Sequence, residues 1–322
     1  MAVLALSAAY LLDYLVGDPR RLPHPVRLTG TIIVFLEKQA RRIFNSQRGL
    51  KAGGVLIVVI IAGGAVVITV LLLSAAYRLH PAAGLILEIY ILFTVLAGGD
   101  LRNHVARVGD SLQARGIAGA RLDAALLVSR DTGSLDESGV ARAALESLFE
   151  NSADGLVAPL LFAAAAGPAA AVLYKTVNTL DSMIGYKTRE YMDLGYAAAR
   201  TDDILSFIPA RLTALYILAV GTFRGRGREG IRVLAADRRR HESPNSAWPE
   251  SAAAGTLGLR FGGADLYHGK IVKRPLINAA GRQPVGADIG RGLALFQSIS
   301  LLAFFSLVTL AYWIRTMEVI VF

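Results

Sequence analysis

The 322-residue chain contains no cysteine. This excludes a disulfide framework and any cysteine-ligated zinc or iron–sulfur centre, and it fits a reducing compartment. Charge is also scarce. Charged residues make up 18% of the chain, where a soluble domain carries about a quarter. A wholly soluble enzyme and a disordered chain are therefore both poor readings. The sequence also lacks an H-E-x-x-H zinc motif and a nucleophile elbow. Gly225 to Gly230 matches G-x-G-x-x-G, but no strand precedes it, so a Rossmann site is not implied. The Gly263–Ile271 stretch has P-loop-like spacing that is one residue too long, and it lacks the Ser/Thr.

Long apolar runs are what the chain does have; 54% of it is hydrophobic and the mean hydropathy is +0.47. Ala52–Tyr77 is uncharged for 26 residues. At 1.5 Å per residue it exceeds a hydrocarbon core of about 30 Å. Gly292–Ile314 is a second such run, ending in Tyr312 and Trp313, placed as an interfacial belt. Residues 81–99 form a third, interrupted only by Glu88. Residues 1–16 are apolar but short, and they lack the basic start and small-residue cleavage site of a signal peptide. They are expected to form a retained first helix.

Two further stretches, 155–174 and 204–223, contain Pro159, Gly167-Pro168, Pro209 and Arg211. Proline removes a helix hydrogen bond and charge is costly in lipid, so these are expected to be broken or re-entrant. The fold class is therefore all-α: a polytopic integral membrane protein, a single membrane-embedded domain, with helical polar loops at 17–51, 100–154, 175–203 and 224–291.

The formal net charge is +9. Residues 17–52, 98–154 and 223–292 hold 27 of the 34 Lys and Arg. That clustering suits loops retained on the cytoplasmic side of an inner membrane. The basic loops lack regular aromatic interleaving, so nucleic acid is not an expected partner.

Four polar clusters carry chemistry. In the first, Asp13, Asp18, His24 and Arg27 are presented by a proline-stiffened segment at a membrane boundary. In the second, Glu146, Glu150 and Asp154 recur every four residues, with Asn151 between them. One helical stripe of like charge is tolerated if a cation sits on it, and hard oxygen ligands suit Mg²⁺. The third holds Lys175, Asn178, Asp181, Gly185 and Lys187, followed by Asp202, Asp203 and Arg211. Asn178 and Asp181 are i, i+3 neighbours that could share a metal. Gly185 would admit close backbone approach to a ligand. Arg211 is expected to pair with a carboxylate or an anion. The fourth runs from Asp237 through Arg240, His241, Glu242, Ser243 and Asn245 to Trp248 and Glu250. Its Ser-Pro-Asn-Ser and Trp-Pro steps predict an ordered loop able to hold an anion or a planar ligand. Each cluster also has a plain structural reading: a helix stop, a solvated acidic face, an N-cap at Asp202, ordinary basic loop residues.

Together the clusters resemble the adenosylcobinamide-phosphate synthase (CobD/CbiB) family of cobalamin biosynthesis. The resemblance rests on Asp13 with Asp18-Pro-Arg-Arg and Pro23-His24-Pro25-Val26-Arg27. It rests further on Glu146-Ser147, Glu150-Asn151, Asp154-Gly155, and the run from Lys175 through Asn178 and Asp181 to Lys187. Asp202-Asp203, Pro209-Ala-Arg211, Glu242-Ser-Pro-Asn245 and Trp248-Pro-Glu250 complete it. It implies an inner-membrane ligase that joins adenosylcobyric acid to 1-aminopropan-2-ol or its O-phosphate, using ATP and Mg²⁺. It leaves room for contacts with other late cobalamin-pathway enzymes. From side-chain chemistry, Glu146, Glu150, Asn151, Asp154, Asn178, Asp181 and Asp202 are the expected metal ligands. Arg240, His241, Ser243, Asn245 and Glu250 are the expected ATP-loop residues. Lys187, Arg211 and Arg27 would neutralise phosphate, and Asp13, Asp18 and His24 would complete the catalytic set, Asp18 or His24 serving as base. The rival readings are a Mg-dependent prenyl or phosphoalcohol transferase and a corrinoid transporter or docking subunit. The dissimilar acidic motifs speak against the first, and the long polar loops and absence of an internal repeat against the second.

Overall fold

A computed structural model describes residues 2–17, 25–241, 243–267 and 269–321; the side chains of residues 25–27 and 318–321 are excluded. In chain order the helices are α1 (Ala2–Val16), α2 (Pro25–Ile43), α3 (Gln47–Val58), α4 (Gly64–Leu79), α5 (Pro81–Val95), α6 (Gly98–Ala114), α7 (Gly116–Ala124) and α8 (Glu137–Ser152). They continue as α9 (Ala158–Ala166), α10 (Pro168–Ile184), α11 (Tyr196–Leu205), α12 (Phe207–Phe223), α13 (Gly227–Asp237) and α14 (Ala247–Leu257). An antiparallel hairpin of β1 (Phe261–Tyr267) and β2 (Lys270–Ile277) precedes α15 (Gly286–Val321). The all-α membrane architecture holds, with this hairpin the one sheet among the described residues.

Among the described residues, three helical stretches are long and apolar enough to cross a bilayer: Gln47–Leu79, Pro81–Ala114 and Gly286–Met317. They carry the three long apolar runs of the sequence, 52–77, 81–99 and 292–314. Tyr196–Leu205 and Phe207–Phe223 pass the same test as a broken pair. Proline and glycine explain the remaining interruptions. Gly167 adopts φ +82 and Pro168 opens α10, so the 155–174 stretch is divided between α9 and α10 rather than running as one span. A π turn at Val59–Gly63 joins α3 to α4, and another at Ala153–Val157 joins α8 to α9.

The chain forms two compact units. The first comprises Met1–Ala97, Ala158–Ser206 and Phe304–Phe322. Its core gathers Ile33 and Ala40 of α2, Ile57, Ile61, Leu180 and Ile184 of α10, Leu194 and Ala198. α1 packs on α5, and the Tyr10 ring stacks on Phe304 at 4.2 Å between centroids. These apolar contacts supply the stability, roughly 1.5–3 kcal/mol for each fully buried large side chain.

The second unit comprises Gly98–Val157 and Phe207–Ala303. Its centre is α8, buried along nearly its whole length, packed on α14, which is equally buried. Asp136 caps α8 by accepting the Gly139 N–H at 2.7 Å. The small residues of α14 let α13 approach closely, and a Cβ on Gly255 would strike the backbone of Glu229 and Gly230. A buried helix normally carries few acids, yet α8 presents Glu146 and Glu150 and α14 presents Glu250.

Candidate functional site

Glu150 in the last turn of α8, His241 in the loop after α13 and Glu250 in the first turn of α14 bring one donor atom each to within 4.8 Å of one another. The loop is folded on itself. The Ser243 N–H donates to His241 Nδ1 at 3.0 Å, and Ser243 Oγ accepts the Asn245 and Ser246 N–H groups at 3.2 and 3.3 Å. Asp237 anchors the upstream end by accepting the Asn278 N–H at 2.7 Å and pairing with Arg240 Nε at 3.2 Å. Pro249 falls in the first turn of α14, where a missing N–H leaves nothing unsatisfied.

This geometry fixes the imidazole. Because Nδ1 accepts a hydrogen bond, a neutral His241 carries its proton on Nε2, 3.9 Å from Glu250 Oε1. Glu250 Oε1 is buried and has no hydrogen-bond partner among the described residues. Burial pushes the Glu250 carboxyl well above its usual range, and the charges of Glu150 and Glu146 push it further against the pull of Arg274 and Arg130. Two carboxylates, one of them orphaned and one half-buried, with an N–H donor beside them, fit a hard divalent cation that keeps several waters. The fit is to oxygen ligation, since His241 would have to surrender its Nε2 proton to become a ligand itself.

Behind Glu250 lies a buried ion network. Asp265 of β1 accepts from Arg142 at 2.6 Å, Arg130 at 3.0 Å and Arg274 at 3.2 Å. Glu146 accepts from Arg130, from Arg274 at 2.7 Å and from the Gly262 N–H at 2.7 Å. Burial alone would raise the Glu146 carboxyl, but Arg130, Arg274, Arg142 and the Gly262 N–H override it and hold it at about 2. Gly262 makes this possible: it sits at φ +75 in the β1 bulge, and a Cβ there would collide with the Pro275 carbonyl. Both oxygens of Glu146 are thus engaged by arginines and backbone, in place of the cation-ligand role expected of it. The acidic stripe also ends early, because Asp154 falls inside the π turn.

Arg211 of α12 is another cation at this loop, besides Arg238 and Arg240. Its guanidinium lies 3.4 Å from the Phe207 ring centroid and 4.5 Å from that of Trp248, and it donates to Asn245 Oδ1 at 3.0 Å and the Phe207 carbonyl at 2.7 Å. Of the two expected partners, a carboxylate or an anion, no carboxylate pairs with it among the described residues; carbonyl oxygens and aromatic faces hold it. Asn151 is exposed and turns back to the Ser147 carbonyl at 2.9 Å.

The third cluster belongs to the first unit. Asn178 Nδ2 donates to Asp202 Oδ1 at 3.4 Å, and Ser206, bonded to Tyr174 at 3.1 Å, donates to Asp202 Oδ2 at 3.3 Å. Burial raises Asp181 to about 6, assisted by Asp203 and opposed by Lys187. Gly185 is needed for a different reason than ligand approach: a Cβ there would strike the Asp181 carboxylate and carbonyl. Asp13 is buried in α1. Asp18, His24 and Glu242 lie outside the described residues, as does the Arg27 side chain.

The sequence reading separated Glu150 from His241 and Glu250, and it passed over Arg130, Arg142 and Asp265. A signal for part of the network was present. Arg142 and Glu146 are i, i+4 among the small and apolar residues 140–149 of α8, where a buried charge demands a partner.

A sequence model of the family described as CobD/Cbib protein matches residues 6–296. A Klebsiella pneumoniae "Cobalamin biosynthesis protein CobD" is 39% identical over 315 residues, covering 98% of this chain and 99% of that protein. A Geobacter metallireducens protein of the same name is 42% identical over 285 residues, 88% of each chain. The Salmonella typhimurium "Cobalamin biosynthesis protein CbiB" is 38% identical over 304 residues, 94% of this chain and 95% of the other. No solved structure matches significantly. The chain belongs to the CobD/CbiB family of cobalamin biosynthesis proteins.

Proposed function

We propose that the protein is the amide-forming ligase of this pathway, joining adenosylcobyric acid to 1-aminopropan-2-ol or its O-phosphate at the expense of ATP. The observation that supports this reading best is the Glu150–His241–Glu250 cluster, with its orphaned buried carboxylate, beside a loop that also holds Arg211. A carboxylate is a weak electrophile and an ammonium is no nucleophile, so the acid must be activated and the amine deprotonated. Activation by ATP forms a carboxyl–phosphate bond and releases ADP. Attack by the amine then forms the amide and releases phosphate.

Each residue has a role in this scheme. Glu150 and Glu250 would hold Mg²⁺, which supplies charge neutralisation for a transferring phosphoryl group. Arg211, fixed by Asn245 and two aromatic faces, is placed to stabilise negative charge without reorganising. His241, with its tautomer set by Ser243, offers an Nε2–H donor. The proposed bases for the amine are Asp18 and His24, and Asn178, Asp181 and Asp202 form a second oxygen-rich patch available to substrate or ion. We place the protein in the inner membrane with the basic loops cytoplasmic.

Purified protein in detergent, given adenosylcobyric acid, ATP–Mg and each amine in turn, tests this by mass spectrometry. The expected result is an ATP-dependent gain of the amide, matched by ADP. A prenyl or phosphoalcohol transferase would release no ADP, and a transporter would show corrinoid counterflow in proteoliposomes with no covalent change.

A further inference from the structure

The second unit contains a charged cavity whose lining shares no residue with the acidic cluster. It encloses about 280 Å³ and is lined by three arginines, Arg226, Arg282 and Arg291, with Glu229 the one acid on its wall. Two of these cations already have a partner: Arg282 and Arg291 share Asp288, at 2.6 and 2.7 Å. Glu229 is engaged by Arg232, whose Nε donates at 3.1 Å. Arg226 forms no side-chain hydrogen bond or ion pair among the described residues. Three guanidinium groups and one carboxylate therefore line the cavity, and that carboxylate, Glu229, is shared between the charge of Arg226 and the fork of Arg232, so the wall is net positive.

The cavity also has a defined place along the chain. Arg226 follows α12 by three residues, just past Phe223, which is 92% exposed. Arg291 immediately precedes the uncharged 292–314 run of α15. Both arginines thus stand at the polar end of an apolar helix, the level at which phosphate groups of lipids meet protein. The wall between them is bare backbone: Arg226 reaches to 3.5 Å of where a Cβ on Gly258 would lie, and Gly258 itself is left-handed at φ +70. A liquid water occupies about 30 Å³, so the cavity has room for a phosphate group with several waters.

We propose that this cavity binds a phosphate-bearing anion, supplied by the headgroup of an anionic phospholipid or by a soluble phosphoanion. Planar guanidinium forks match phosphate oxygens, and the net positive wall matches its charge. The proposal does not rest on the ligase reading, and neither readout below involves turnover.

The full chain is purified in detergent as wild type, Arg226→Gln, Ala280→Glu and the charge-matched control Arg228→Gln, which removes a cation of α13 that does not line the cavity. Ala280 is an exposed wall residue, so its replacement places a repelling carboxylate in the cavity without disturbing the core. The lipid arm counts retained phosphatidylglycerol against phosphatidylcholine by native mass spectrometry. The soluble arm follows the melting temperature with inorganic phosphate and pyrophosphate at constant ionic strength. At least a ten-fold loss of binding in Arg226→Gln and Ala280→Glu, with Arg228→Gln like wild type, is the expected result. Loss in the lipid arm assigns the headgroup, and loss in the soluble arm assigns the free anion. Binding absent from both arms, or equal in all four proteins, overturns the proposal.

Discussion

Glu146 and Glu150 sit one turn apart on the same helix, yet they live in opposite electrostatic worlds. Glu146, with Asp265, is enclosed by Arg130, Arg142 and Arg274 and is held ionised. Glu150 faces Glu250 and His241, where negative charge is crowded and Glu250 Oε1 has no partner. The saturated group ties the β hairpin to α8. The second group leaves Glu250 Oε1 without a hydrogen-bond partner among the described residues, with His241 Nε2 3.9 Å away, so it is the one with capacity left for a ligand. Acidic residues that look equivalent in sequence thus separate by what neutralises them.

The comparison breaks most severely at the network. Glu146→Ala should cost about 3–5 kcal/mol, because it leaves buried Arg130 and Arg142 and half-buried Arg274 with Asp265 as their one hydrogen-bonded carboxylate. Thermal unfolding in detergent should show the loss, and a variant that melts like wild type would remove the network from any structural role. Glu250→Gln should do the reverse. Activity should fall roughly 10²–10³-fold, as when one transition-state charge contact is lost, while the melting temperature holds or rises, since a crowded buried carboxylate has been neutralised. Parallel loss of stability and activity would make Glu250 one more member of the network.

The first unit supplies a pH test. Asp181 is raised to about 6 from 3.8. A carboxyl whose folded pKa is raised favours the folded state while protonated. That stability is present below about 3.8 and is lost as pH rises to about 6. Asp181→Asn should therefore melt higher than wild type at pH 7 and lack the decline between those values. A decline of equal size in the variant would assign it to another group. The smallest effect is expected at Ser243→Ala, which removes the acceptor for two loop N–H groups. A loss of about 1 kcal/mol, with a several-fold rise in Km for ATP and the α8 network intact, is the expected outcome. A Km like that of wild type would detach this loop from ATP.

Much of the membrane part was legible because it depends on local quantities. Apolar runs long enough for the bilayer, one of them interrupted by Glu88, mark the three spans, and Gly167-Pro168 marks where the 155–174 stretch divides. The β hairpin was not legible: Lys270–Ile277 does not alternate, and its Pro275 argues against a strand, so only pairing with β1 reveals it. In the site, residue types were readable and partnerships were not. Asp265 lies 123 residues from Arg142, and no spacing rule reaches that far. His241 and Glu250 read as an ATP loop because nothing local shows that Glu150 stands opposite them. Arg211 read as needing a carboxylate or an anion because stacking on Phe207 and Trp248 is a tertiary event.

The central claim, that Glu150 and Glu250 are the pair left open for a divalent cation, is most directly tested by Mn²⁺ electron paramagnetic resonance on the purified full chain. One bound Mn²⁺ per chain, displaced by Mg²⁺ and abolished in Glu150→Gln and Glu250→Gln, is the result the account predicts. Undiminished Mn²⁺ binding in the doubly substituted protein would contradict it.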